Sequence, residues 1–306
     1  MRVLLVYYTG TYNTRFLTDT VGRAFTERGH EVSRVEVSRG APPTDATEYD
    51  LIGMSYPIYG FNSPLPFNKY LKKLKVKRGQ KYFIFKNSGE TFGLNNASDR
   101  VIKRRMRRRG AVLVGQYHYV MPYNIHFPFD CDFIREILDK DRKLLEIMMH
   151  DLESGYVAKI KSNIVYDVAS AVVGIQKIGG FVNSFLYKAD MDKCVKCMRC
   201  VRDCPEGNIS LKKGKIKFGH RCDMCMRCSY YCPTDAIKTG FLEGWKVRDY
   251  CDLAALAAEG PPEQPYITPE AKGFYKCFIR TFADIDRRYA ELKDGAPTDT
   301  HDEVLG

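Results

Sequence analysis

The sequence predicts an open, doubly wound parallel α/β sheet, followed by a small cysteine-rich α+β domain and a partly helical C-terminal extension. Three observations carry that expectation. Through residues 1–155, apolar runs of strand length alternate with segments of helical periodicity, the pattern of a parallel sheet with helices on both faces. Eight of the 11 cysteines fall within residues 190–240, in two copies of one spacing. The 306 residues, 44% apolar and 28% charged, suffice for two domains of ~150 residues with real cores.

The elements follow in order. Arg2 to Tyr7 is rich in Val and Leu, as a strand buried on both faces should be. After polar residues 9–14, Phe16, Leu17, Val21, Ala24 and Phe25 recur at helical spacing until Gly29. Glu31 to Val37 alternates as a second strand, and Asp50 to Ser55, Lys81 to Lys86 and Ala111 to Tyr119 complete a set of five. Phe67, Tyr70, Leu71 and Leu74 mark one amphipathic helix, residues 97–109 another and Phe133 to Ile147 a third. Residues 156–189, with Gly174, Gly179 and Gly180, read as a connecting helix plus linker. The extension 241–306 holds 13 acidic and 8 basic residues; its Pro261-Pro262 loop and polar end after Asp294 predict one or two packed helices and a frayed tail.

Cys194, Cys197, Cys200 and Cys204 follow C-x-x-C-x-x-C-x-x-x-C-P, completed by Pro205. Cys222, Cys225, Cys228, Cys232 and Pro233 repeat it 28 residues later, and Ile209 maps onto Ile237, so the segment is an internal duplication. Three thiolates two residues apart can face one cubane while the fourth, after a longer step, points away. Zinc would use two C-x-x-C pairs per ion, which this spacing serves poorly. The segment resembles the bacterial dicluster ferredoxins over about 50 residues. The resemblance implies crossed ligation: Cys194, Cys197, Cys200 and Cys232 on one [4Fe–4S] cluster, and Cys222, Cys225, Cys228 and Cys204 on a second. Cys131, Cys251 and Cys277 are isolated and read as small buried hydrophobes.

Thr9-Gly10-Thr11-Tyr12-Asn13-Thr14 joins the first strand to the first helix, where an open sheet offers backbone N–H groups to an anion. The loop has no Lys, so it is no Walker A loop, and it lacks the dinucleotide G-x-G-x-x-G spacing. In position it resembles the flavodoxin phosphate loop, and the likeness extends over residues 1 to about 155. That resemblance implies FMN, with its ring between Tyr56-Pro57-Ile58-Tyr59-Gly60-Phe61 and Asn87-Ser88-Gly89-Glu90. Tyr56, Tyr59 or Phe61 would stack, and backbone groups near Ser88 and Gly89 would meet the polar edge. Tyr12 departs from the family's usual Gly; a positive φ there would strain it, and its ring could then cover the phosphate. The whole order, with Met121-Pro122-Tyr123-Asn124 after the fifth strand, resembles the single-chain flavodoxin–ferredoxin fusions of anaerobes. It divides the chain into an FMN-binding domain (1–155), a connector (156–189), a 2[4Fe–4S] ferredoxin domain (190–240) and an extension (241–306).

Lys plus Arg number 48 against 37 acids, a formal excess of +11. Residues 66–109 alone carry 15 Lys or Arg and two acids. Such a stretch reads as a solvated helix face or as a docking surface for an acidic redox partner of ferredoxin or flavodoxin type, or a downstream oxidoreductase. Nucleic acid is disfavoured, because the stretch has few interleaved aromatics and no recognisable module. A homo-oligomer is compatible with the sequence. No apolar run reaches membrane-spanning length, and no signal-peptide core is evident, so a cytoplasmic location is expected, where 11 cysteines argue for metal over disulfides. Two function classes lead. One is an electron carrier relaying between FMN and the two clusters. The other is an FMN-dependent reductase of a bound small molecule, fed by the ferredoxin domain, with Tyr119, Tyr123 and His126 as candidate proton donors. A redox-sensing nucleic-acid binder is a distant third.

Overall fold

The computed structural model describes residues 1–174, 176–248 and 251–295; the expected frayed tail lies outside them from residue 296 onward. Five strands, β1 (Arg2–Tyr7), β2 (Glu31–Glu36), β3 (Leu51–Ser55), β4 (Lys81–Ser88) and β5 (Val112–Val120), form one sheet. The order is β2-β1-β3-β4-β5 and every pairing is parallel. This is the flavodoxin-like doubly wound order, whose crevice opens past the C-terminal strand ends where the order reverses, between β1 and β3. Central β1, β3 and β4 are buried nearly throughout, which is why their sequences are continuous apolar runs rather than alternating ones.

Helices α1 (Asn13–Glu27) and α4 (Cys131–Ser154) cover one face through Leu17, Val21, Phe25, Leu144 and Met148. Helices α2 (Leu65–Tyr70) and α3 (Arg100–Arg108) cover the other through Phe67, Tyr70, Ile102 and Met106. Two helices differ from expectation. α2 stops at Tyr70, although Leu71 and Leu74 remain buried beyond it. The helix expected over 97–109 begins instead as a 3-10 turn, Gly93–Asp99. The reason is a buried cation: Lys86 Nζ donates to the carbonyls of Asn95 (2.9 Å) and Asn96 (3.4 Å) and meets the Asp99 carboxylate at 3.4 Å. The turn wraps that ammonium, which could not otherwise be buried without a large desolvation cost.

The expected connector forms two helices, α5 (Ile164–Val173) and α6 (Gln176–Ser184). Its last residues are a strand, β6 (Tyr187–Ala189), which pairs with β9 (Ile237–Thr239) across the cysteine-rich segment. Between them lie a single turn α7 (Arg199–Arg202), the hairpin β7 (Ile209–Lys212) and β8 (Lys215–Phe218), and a second single turn α8 (Arg227–Tyr230). The extension adds α9 (Leu253–Glu259) and α10 (Lys276–Lys293). Phe278 and Phe282 of α10 share a core with Phe133, Ile134 and Ile137 of α4. Among the described residues no helix is long and apolar enough to cross a membrane.

One expectation about cysteine is corrected. Cys131, at the start of α4, and Cys251, just before α9, form a disulfide across 120 residues of sequence. The extension folds back onto α4, and that return brings together two thiols that looked isolated. Cys277 remains a free, partly buried thiol in α10.

Candidate functional site

Residues 9–14 cross the sheet edge between β1 and α1. The first N–H groups of α1 have no intrahelical acceptor and sit at the positive end of its dipole. Tyr12 takes the left-handed conformation, φ 69° and ψ −3°, so the strain anticipated for a non-glycine at this position is present. Its ring packs against Tyr231, centroids 5.4 Å apart, and lies 4.4 Å from the Arg227 guanidinium. Tyr12 thus serves the contact with the cysteine-rich segment instead of covering the phosphate loop.

A cleft of about 380 Å³ opens beside this loop, within the size range of small-molecule sites. Thr9, Gly10, Thr11, Asn13 and Thr14 form one wall, Pro57, Ile58, Tyr59, Gly60 and Phe61 a second, and Asn87, Ser88, Gly89 and Glu90 a third. Side chains knit the loops together: Thr14 Oγ1 donates to Asn87 Oδ1 at 2.8 Å, and Asn13 Nδ2 donates to the Pro122 carbonyl at 2.7 Å. Ser88 Oγ is 2.7 Å from His118 Nε2 and donates to the Glu90 carbonyl. Tyr56 departs from expectation. It is fully buried in the core against Phe67, because the residue that leaves β3 still points into the sheet's far face. Tyr59 and Phe61 remain as the aromatic wall.

One observation fits a flavin phosphate in the cleft. Thr9 Oγ1 is buried in its wall without a hydrogen-bond partner among the described residues. A Cβ on Gly10 would stand 2.2 Å from the Tyr59 hydroxyl and 3.0 Å from the Cys225 carbonyl, so glycine there permits a close approach of two backbones. Of the candidate proton donors, Tyr123 and His126 line the cleft. Tyr123 donates to the Glu90 carboxylate, and His126 holds a positive φ of 87°. Tyr119 does not belong with them; it lies in the core, its hydroxyl against Met148 Sδ.

The eight motif cysteines lie close together, and the fourth cysteine of each motif lies near the other motif. Burial, then Cys197, Cys194 and Cys232, push the Cys200 thiol up to about 11. Burial chiefly, with Cys204 among the neighbouring thiols, pushes Cys222 up to about 11 and Cys225 up to about 12. Cys204 is thus a near neighbour of the second motif's thiols, and Cys232 of Cys200. A cluster bound at these thiols would displace their protons. Backbone N–H groups aim at sulfur, from Asn208 to Cys204 (3.3 Å) and from Ala236 to Cys232 (3.2 Å). The duplication is also written in the backbone: Lys196, Met198 and Gly207 have positive φ, and so do Met224, Met226 and Asp235, each 28 residues on. Among the described residues no three Cys, His, Asp or Glu side chains converge tightly enough for a single metal ion. Cys194, Cys197, Cys200, Cys204, Cys228 and Cys232, drawn from both motifs, line one small cavity.

Arg227, inside the second motif, joins the two halves. Its Nε donates to the Gly10 carbonyl (2.5 Å), Nη2 to the Thr9 carbonyl (2.7 Å) and Nη1 to the Asp203 carbonyl (2.9 Å), and Glu36 lies 3.5 Å away. Tyr231 adds a bond to the Thr11 carbonyl (3.0 Å), and Asn124 one to the Cys225 carbonyl (3.4 Å). Asp223 and Met224 line the cleft itself, as do Leu242 and Trp245. Nothing in the local spacing around Arg227 signals bonds to residues more than 200 positions away.

The arginines at the end of α3 lie elsewhere. Arg105 donates to the Asn68 carbonyl, and Arg109 to those of Leu71, Leu74 and Lys72. These arginines, at the end of α3 that precedes β5, satisfy carbonyls in and just after α2. That is the opposite edge of the sheet from the cleft, ~25 Å away along a strand of eight residues.

A family model described as a 4Fe-4S binding domain matches residues 188–209. No curated protein matches the chain. Similar solved structures include a flavodoxin from Streptococcus pneumonia TIGR4 (19% identity, 50% of this chain and 99% of that one, TM-score 0.39). Another is a flavodoxin from the domain Archaea (15%, 51% and 99%, 0.38), and a third is Flavodoxin 1 from Bacillus cereus (15%, 50% and 98%, 0.37). The fold assignment rests on the strand order itself. The chain joins a flavodoxin-like sheet to a 4Fe–4S binding segment, the makings of an electron-transfer protein.

Proposed function

We propose that the chain relays electrons between FMN and two [4Fe–4S] clusters. The observation that carries this reading is the shared cleft: Asp223 and Met224, between two cysteines of the second motif, line the same space as the phosphate loop and the two ring loops. Residues 9–14 would hold the phosphate, and Tyr59, Phe61 and Ser88–Glu90 would flank the ring. The group of Cys204, Cys222, Cys225 and Cys228 then lies against the flavin, and the group of Cys194, Cys197, Cys200 and Cys232 lies farther out. FMN, when bound, exchanges one or two electrons, while a cluster passes one; the protein's task is to position and tune them. Arg227 and Tyr231 do this by fixing the loop carbonyls to the cluster segment, so the approach does not depend on a flexible tether.

Rapid mixing with reductant under anaerobic conditions tests the relay. After the clusters are reduced, FMN should be reduced at a rate independent of protein concentration. A rate proportional to concentration would mean transfer between molecules and would overturn the reading.

A second reading, reduction of a small molecule at the flavin, has one favouring observation. His126 lines the cleft in a strained, left-handed backbone conformation of the kind found at functional sites. On that reading His126→Gln abolishes turnover of an acceptor and leaves the cluster-to-flavin rate unchanged.

A further inference from the structure

Resting on the relay reading, we propose that electrons enter or leave the chain at the rim of the outer cysteine group, and that this rim docks a small acidic iron–sulfur carrier protein. Cys197 is exposed, whereas the other seven motif cysteines are partly covered. Beside it Val195 is 62% exposed, an apolar point on a surface otherwise built of charge. Lys193, Lys196, Arg199 and Arg202 surround it, all exposed. Two carboxylates share this stretch: Asp192, exposed beside Lys193, and Asp203, engaged by Arg202 at 2.9 Å and Arg199 at 3.7 Å. The rim therefore keeps a positive balance around the most accessible ligand position.

Geometry gives this rim its place in the sequence of transfers. The inner cysteine group faces the cleft and is covered by the phosphate loop, Asn124 and Arg227. A partner cannot reach it without displacing those contacts. The Arg-rich end of α3, a second basic surface, stands at the far edge of the sheet, where a docked protein would be ~25 Å from the cleft. Transient redox complexes are small, and charge complementarity governs their formation. A carrier with a negative rim around its own one-electron centre meets those conditions at Val195–Cys197. The transfer moves a single electron from the carrier's reduced cluster to the outer site, and no bond or proton changes hands.

The test titrates an oxidised acidic bacterial 2[4Fe–4S] ferredoxin into the reconstituted full chain and reads binding by biolayer interferometry. Salt is set at about 0.1 M and then about 1 M, where Debye lengths are ~10 and ~3 Å. The double variant Lys193→Glu/Lys196→Glu should bind about tenfold more weakly at the lower salt, and the difference should vanish at the higher. Arg107→Glu/Arg108→Glu, exposed at the far edge, should bind as the unaltered chain does, and visible absorption should show both variants loaded with clusters. Weakening by the far-edge pair, or no effect of the rim pair, overturns the proposal. Failure of the relay looks different: when the same ferredoxin is added in its dithionite-reduced form, it binds and reduces the clusters, but FMN stays oxidised.

Discussion

Arg227 carries three hydrogen bonds to carbonyls of two loops distant in sequence, and stacks on Tyr12 as well. Its planar fork suits that task, and a lysine's single ammonium does not. Arg227→Gln leaves carbonyls of Thr9, Gly10 or Asp203 unpaired, at about 1–3 kcal/mol each. FMN affinity, read by quenching of flavin fluorescence, should fall at least about tenfold, with Arg227→Lys recovering part of it. Unchanged affinity would show that the loop holds its shape alone. His118 makes a second prediction. Burial, then the nearby Lys86 ammonium, push its imidazole down to about 3, with Asp99 opposing. The folded value lies below the unfolded ~6.5, so the unfolded chain takes up the proton first. Stability is therefore intact above pH ~6.5 and declines as pH falls toward 3, by about 2 kcal/mol at pH 5. Urea midpoints at pH 7 and 5 measure this, and His118→Gln should reduce the difference. Neither role was legible in sequence, because each depends on what packs against the residue.

Helix α10 shows how far an element can be read in advance. The Pro261-Pro262 loop and the polar end after Asp294 predicted a packed helix but not the surface it covers. Phe278 is fully buried against α4, and the segment also reaches the third cleft loop. Thr91 Oγ1 donates to the Cys277 carbonyl, at 2.5 Å, and the Phe92 and Phe274 rings meet at 6.4 Å. Phe278→Ala should cost about 3–5 kcal/mol, seen as a lower urea midpoint, and should also weaken FMN binding by loosening Thr91 and Phe92. A stability loss with unchanged FMN affinity would separate the helix from the site. The 3-10 turn before α3 teaches the converse. Residues 97–109 have good helical spacing, yet the buried Lys86 claims the carbonyls of Asn95 and Asn96 and overrides the local preference.

For the whole molecule, the proposed crossed ligation gives a direct experiment. The reconstituted chain should hold ~8 iron and ~8 sulfide. Cys232→Ala should cost the outer cluster, and Cys204→Ala the inner one beside the flavin, as distinguished by the response of the FMN spectrum to reduction. Loss of the cluster nearest in sequence in each case would refute the crossing. The sequence by itself determined the five strands, the strand-to-helix loop at residues 9–14 and the duplicated cysteine spacing, because period, turn chemistry and ligand spacing are local properties. Tertiary structure alone decided that Tyr56 is core and Tyr12 an interface residue, that Cys131 pairs with Cys251, and that the arginines of α3 stand at the edge away from the cleft. It also decided that the second cysteine motif, through Asp223, Met224 and Arg227, closes the cleft begun by Thr9 and Gly10. These are contacts between segments up to about 218 residues apart, and they follow from which faces are left to be buried once each element has formed, which no local pattern encodes.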